Sequence, residues 1–113
     1  MTTVLASQFS DSEGCYNNNK LNNGKYYYAE LSTNPDAPYQ QLRFDALGKK
    51  KPFQKLKITY KGKTLIAEKG DIGRGKLEKD GKFKGELRCI DLHKTLAKAL
   101  GFNGLDYVTY EDA

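Results

Sequence analysis

The sequence predicts a mainly β domain in which closely spaced short strands close into a small barrel, with one well-specified helix late in the chain. Three observations lead there. Leu56-Lys57-Ile58-Thr59-Tyr60 alternates apolar with polar residues, Lys61-Gly62 makes a two-residue turn, and Thr64 to Glu68 returns; this hairpin is the strongest local signal. Other short apolar or aromatic runs are separated by Gly-, Asn- and Pro-rich stretches. Leu92, Leu96, Ala99 and Leu100 fall at helical spacing, which gives one apolar face. With 113 residues, the chain is one domain spanning 1–113, because a second core would not fit.

Taken in order, Val4 to Phe9 reads as a first strand, and residues 10 to 24 as a loop rich in Asn, Gly, Ser and Asp. Tyr26 to Leu31 reads as a strand, since aromatics favour pleated surfaces, and Asn34-Pro35-Asp36-Ala37-Pro38 stops it. Tyr39 to Leu47 is expected to form a short helix closed by Gly48. After the hairpin, Gly70 to Gly85 is glycine-rich and charged and reads as a long loop, and Leu87 to Ile90 as a short strand. Asp91 is expected to open the helix as its N-cap, with Gly101 just past its end. Asp106 to Glu111 reads as the last strand, with Tyr107 and Thr109 on one face and Val108 and Tyr110 on the other.

Composition narrows the function classes. Hydrophobic residues make up 38% of the chain, enough for a core and against global disorder. No apolar run is long enough for a membrane-spanning helix. Met1 leads into Thr2-Thr3-Val4-Leu5 without a basic n-region, so a signal peptide is expected to be absent or already removed. One His and two Cys cannot supply a zinc site of the usual three or four Cys/His ligands, so no metal and no cofactor are expected. The net charge of +5 is uneven: residues 47–100 carry sixteen basic and six acidic side chains, against three and five in residues 1–46. That block suits an anionic partner or a plain solvated surface. Lys49-Lys50-Lys51 and the lysines from Lys76 to Lys84 hold few aromatics on which bases could stack, which argues against nucleic acid.

Few residues can carry chemistry. Cys15 and Cys89 lie too far apart for a C-x-x-C motif; they either form one disulfide or stay unpaired. His93 is the only histidine, so no Ser-His-Asp arrangement is available, and the first turn of a helix would leave it exposed. Gly73-Arg74-Gly75-Lys76 lacks the spacing of a phosphate loop and reads as glycine turns. The acids remain. Asp71 can be a turn residue or an acid at a strand end, and Asp91 can be a helix cap or an acid at a strand-to-helix junction.

Together these segments resemble a known family. Gly70-Asp71-Ile72-Gly73-Arg74-Gly75 and Arg88-Cys89-Ile90-Asp91-Leu92-His93-Lys94-Thr95-Leu96-Ala97-Lys98-Ala99-Leu100-Gly101 resemble the D-R-G-P and R-I-I-D-L-S-x-x-A-A-x-x-L-G signatures of rare-lipoprotein-A-like domains. These belong with expansin and barwin-like domains. Ala6-Ser7-Gln8-Phe9 is similar to the A-S/T-W/F-Y opening of the family, Tyr28-Ala29-Glu30-Leu31-Ser32-Thr33 to the T-A-A-L-S-T stretch of expansins, and Cys15-Tyr16 to their A-C-G-Y. The chain departs from the family where Tyr28-Ala29-Glu30-Leu31 replaces the T-A-A-H of bacterial rare-lipoprotein-A proteins, and where Cys89 replaces the histidine of the expansin H-F-D.

The resemblance implies a single six-stranded double-psi β-barrel with one or two short helices. It also implies a cell-wall polysaccharide, peptidoglycan or cellulose-like, as partner of a monomeric extracellular protein, or of a component of a phage particle. Asp91 takes the place of the family's acid, with Asp71 as the second carboxylate. Ser7, Arg74 and the tyrosines Tyr26 and Tyr28 are the expected substrate contacts. One outcome is an expansin-like module that binds and loosens a glycan without hydrolysis. The other is glycan cleavage, as in lytic transglycosylases, with Asp91 as general acid. Hydrolysis by water would need Asp71 and Asp91 to face one groove within about 10 Å.

Overall fold

The computed structural model describes residues 1–113. Six strands form a closed barrel: β1 (Thr2–Phe9), β2 (Tyr27–Glu30), β3 (Lys55–Tyr60), β4 (Lys63–Ile72), β5 (Arg88–His93) and β6 (Asp106–Asp112), in the spatial order β1-β5-β2-β4-β3-β6. One helix, α1 (Lys94–Leu100), and two single 3₁₀ turns complete it. The pairs β1/β5 and β2/β4 are parallel; the other four are antiparallel. This interlocked order is consistent with a double-psi barrel.

The hairpin folds as its pattern demands. Leu56, Ile58 and Tyr60 turn inward while Lys55 and Lys57 stay exposed. Lys61 and Gly62 both have positive φ, 46° and 82°, which matches the right-handed twist of the flanking strands. The core gathers Ala6, Tyr28, Ile90, Leu92 and Val108 from the barrel wall with Leu96 and Leu100 of α1. α1 thus closes the apolar interior, and its non-polar spacing exists for that contact. It ends in a Schellman arrangement: Gly101 takes φ 72°, and the amides of Gly101 and Phe102 bond to the carbonyls of Lys98 and Ala97.

Four expectations need correction. β4 runs on to Ile72, so Gly70 and Asp71 belong to a strand and not to a loop. Tyr39 to Leu47 is not a helix beyond one 3₁₀ turn at Tyr39–Gln41. Its polar groups are spent across the loop: Asn34 bonds to Gln41 O and Arg43 N, and Ala46 N to Leu31 O. Asp91 does not cap α1; it lies inside β5, paired with Ser7 on one side and Ala29 on the other. The residue before α1 is His93, which is fully buried rather than exposed. Its Nε2 meets Asp11 O at 2.8 Å, and its ring stands edge-on to Phe9. No helix is long and apolar enough to cross a membrane.

Candidate functional site

Two bulges set the site. Along β1/β5, Leu5 pairs with Arg88 and Ala6 with Ile90, so Cys89 is the extra residue. Along β2/β4, Tyr28 pairs with Lys69 and Ala29 with Asp71, so Gly70 is the extra residue. After each bulge the alternation restarts in a new phase. Ser7, Asp91, Ala29 and Asp71 then stand in one register row across β1, β5, β2 and β4. Their neighbours Ala6, Tyr28, Ile90 and Leu92 point into the core, so the row points away from the barrel interior, with Ser7 and Ala29 still buried and Asp91 and Asp71 partly exposed. Ala29 pairs with both acids, which sets the Asp71 and Asp91 backbones two strand spacings apart, about 10 Å.

Asp91 is held tightly. Its Oδ1 accepts a hydrogen bond from the Ser7 hydroxyl, and Arg88 Nη1 donates to the same Ser7 oxygen at 3.1 Å. Arg88 Nε lies 3.3 Å from Glu78 Oε1 as an ion pair, without hydrogen-bond alignment. Burial pushes the Asp91 carboxyl above the usual carboxylate range. The Ser7 bond and the Arg88 charge pull it back, and Asp11 and Asp71 add repulsion. A Cβ placed on Gly73 would lie 3.9 Å from Asp91 Oδ2 and 2.8 Å from Leu31 Cδ2, so the glycine-rich segment after β4 passes close over this acid.

Asp71 opens into a groove of about 330 Å³ lined by Cys15, Tyr39, Leu42, Phe44 and Arg74 among others. Its Oδ1 accepts the Ile72 amide at 2.9 Å. Burial, then contact with the Asp71 carboxylate, raises the Cys15 thiol above its ordinary range. Cys15 and Cys89 are both free thiols, so the unpaired alternative holds. Arg74 shares the groove, but its Nη1 is occupied by the carbonyls of Pro35 and Ala37 at 2.9 and 2.8 Å.

The two tyrosines named as contacts differ in exposure. Tyr28 has no exposed surface and donates its hydroxyl to Gln54 O at 2.8 Å. Tyr26 is half-buried and packs against the core. Within β2 only Tyr28 fills the barrel; Tyr27 takes the opposite face, buried against Gly70, with its hydroxyl accepting from Asn23 Nδ2 at 2.8 Å. The exposed aromatic in the groove is Tyr39, 70% accessible, which sequence reasoning assigned to a helix. Arg88 was also missed as a site residue; in an unbroken strand, i and i+3 face opposite ways, and only the bulge at Cys89 brings it to Ser7 beside Asp91.

Glu30 is the one fully buried acid. It lies fully inside and pairs with Lys69 Nζ at 2.9 Å. It also accepts the amides of Leu47, Lys49 and Lys50 at 2.9, 2.8 and 2.7 Å. It stands where the resembled bacterial proteins have an alanine, and its role here is to fasten the 47–50 loop to the barrel.

The closed six-stranded barrel with its two parallel strand pairs defines the class, a double-psi-type barrel. Among solved structures, the chain is similar to the apo crystal structure of an expansin from Clavibacter michiganensis, with a TM-score of 0.57 and 18% identity. The match covers 99% of this chain and 50% of the expansin chain, so the present chain spans about half of that protein's length. At this identity the likeness establishes the fold. No protein-family model matches the chain, and no curated protein does.

Proposed function

We propose that the protein is an expansin-like module that binds and loosens a cell-wall polysaccharide, peptidoglycan or a cellulose-type glycan, without hydrolysing it. The observation that carries this reading is the register row Ser7–Asp91–Ala29–Asp71 on an expansin-like barrel, which ends at Asp71 in the wall of an open groove. A glycan chain presents hydroxyls along its edge and flat apolar ring faces. Asp91 and Asp71 would accept hydroxyl hydrogen bonds, and Tyr39 would carry a sugar ring. Such a protein acts as a monomer outside the cell or on a phage particle.

A second reading is favoured by one feature, the burial that raises the Asp91 carboxyl above the usual carboxylate range. A protonated acid can donate to a glycosidic oxygen. Asp91 is hydrogen-bonded to Ser7 on β1 and does not line the groove that Asp71 opens into, which supports single-acid cleavage over a two-carboxylate hydrolysis.

The test is incubation with insoluble cellulose and with purified peptidoglycan, comparing the native protein with Asp91→Asn. Sedimentation measures binding, and mass spectrometry reads soluble products. The expected result is retention on the solid without released sugars, weakened in Asp91→Asn. Anhydro-sugar or reducing-end products that disappear in Asp91→Asn would overturn binding alone and make Asp91 the acid.

A further inference from the structure

The acid groove does not end at Asp71. Leu42, Phe44 and Ile72 form its wall, and the same three residues wall a neighbouring cleft of about 390 Å³. The rest of that second cleft is Arg43, Lys49, Lys50 and Lys69, four cations and no acid. Two of the four are already neutralised: Lys69 by Glu30, and Lys50 by Asp112 at 3.1 Å. Arg43 is held only loosely, with Nε 3.9 Å from Asp45. Lys49 makes no ion pair. The cleft therefore presents two cations whose charge the protein itself leaves largely uncompensated.

The loop that carries Lys49 is built with care. Lys49 has φ 59°, a left-handed conformation that costs a non-glycine residue free energy. It is held there by the buried Glu30 carboxylate, which binds the amides of Lys49 and Lys50 while Lys69 Nζ bonds back to Lys50 O at 2.7 Å. An unconstrained surface lysine would not need a fully buried ion pair beneath it. The arrangement fixes the position from which the Lys49 side chain enters the cleft, and pre-organised cations bind an anion at lower entropic cost.

Resting on the wall-binding reading above, we propose that the continuous trough accepts an acidic glycan, with a sugar carboxylate seated between Arg43 and Lys49 while the neighbouring ring lies toward Tyr39 and Asp71. A polymer of uronic acid units has the required chemistry, because it carries both ring faces and a carboxylate on each residue. Nucleic acid fits less well, since the basic cleft is walled by aliphatic residues and a single aromatic, Phe44, with no series of rings for successive bases.

The test is affinity titration of the native protein with soluble polygalacturonate, a neutral β-glucan and single-stranded DNA at low salt. Two double variants follow: Arg43→Gln with Lys49→Gln, and a control of equal charge loss, Lys63→Gln with Lys98→Gln, both exposed positions outside the cleft. The expected result is preference for polygalacturonate, weakened about tenfold or more by the cleft pair and at most about twofold by the control. Binding to neutral glucan stays unchanged in both. Equal losses in the two double variants, or tighter binding to DNA, would overturn the proposal. Native binding to neutral glucan without preference for the acidic polymer would sink the carboxylate site and leave the wall-binding reading standing. Failure to bind either glycan would remove both.

Discussion

Asp91 stands between opposing influences, and their balance can be read by titration. Burial favours its neutral form, while the Ser7 hydroxyl and Arg88 favour the charged one. Because burial wins, the folded protein holds this proton more tightly than the unfolded chain does. Stability then falls as pH rises from the ordinary carboxylate pKa to the raised folded one, and is level above that window. Asp91→Asn has no proton to lose. The stability of the native protein relative to Asp91→Asn is therefore expected to decline from about pH 4 upward. Urea unfolding of both proteins across the acid range measures it; a difference that rises with pH would mean that Ser7 and Arg88 outweigh burial. Ser7→Ala tests the same balance from the other side. Removing the hydroxyl that stabilises the carboxylate should move the Asp91 carboxyl still higher, followed by carboxyl-carbon NMR. At this scale sequence pattern alone was ambiguous. An Asp just ahead of a helical stretch satisfies the capping rule, and nothing local reveals that Ser7 and Ala29 hold its backbone in a strand. The likeness of the I-D-L segment to a known motif, not spacing, marked the residue.

The bulges and turns decide which side chains reach the site. Gly70 is the extra residue of β4, and a Cβ there would approach Leu21 Cδ2 to 2.7 Å and Tyr27 Cδ1 to 2.8 Å. Gly70→Ala should cost about 1–3 kcal/mol, because both contacts belong to buried side chains with little room to move. Denaturant unfolding measures that loss, and a neutral outcome would show that the bulge can shift without disturbing Asp71. The hairpin turn offers the opposite sign. Lys61 occupies a left-handed position that asparagine tolerates better, so Lys61→Asn should stabilise by about 0.5 kcal/mol, visible as a small rise in Tm. β3, the hairpin and β6 were legible because period-2 alternation reports an inside and an outside. β4 beyond Glu68 was not: its last residues include Lys69, Gly70 and Asp71, whose composition argues for a loop. Lys69 can be buried there only because Glu30 waits across the strand pair, a partner 39 positions away. Tyr28 was hard to place for a related reason, since aromatic content signals a strand without saying which face meets water.

The barrel is assembled by pairings that sequence periodicity cannot encode, since β1 joins β5 and β2 joins β4 through backbone groups that every residue carries. A closed barrel was inferable from many short strands; the order around it came only with the family resemblance. Glu30 and Lys69 are where this long-range order becomes energetic. They bridge β2 to β4 at the barrel's core and tie the 47–50 loop to both. A buried ion pair gains little over a well-packed apolar pair, but removing one partner strands the other's charge without water. Glu30→Met and Lys69→Met alone should each cost about 3–5 kcal/mol, whereas the double Met variant should lose much less than the sum. Urea unfolding of the four proteins gives the coupling directly, and additive losses would mean that solvent or neighbouring carbonyls compensate each charge on its own. The double variant separates two roles. It restores a neutral interior yet leaves the amides of Leu47, Lys49 and Lys50 without their carboxylate, so the loop loses its anchor while the barrel survives. If the cleft depends on a fixed Lys49, this variant should stay folded, more stable than either single variant, but bind polygalacturonate as weakly as the variant lacking Arg43 and Lys49. Native-like affinity in a stable double variant would show that the loop holds its shape without Glu30, and would confine the ion pair to stabilising the barrel.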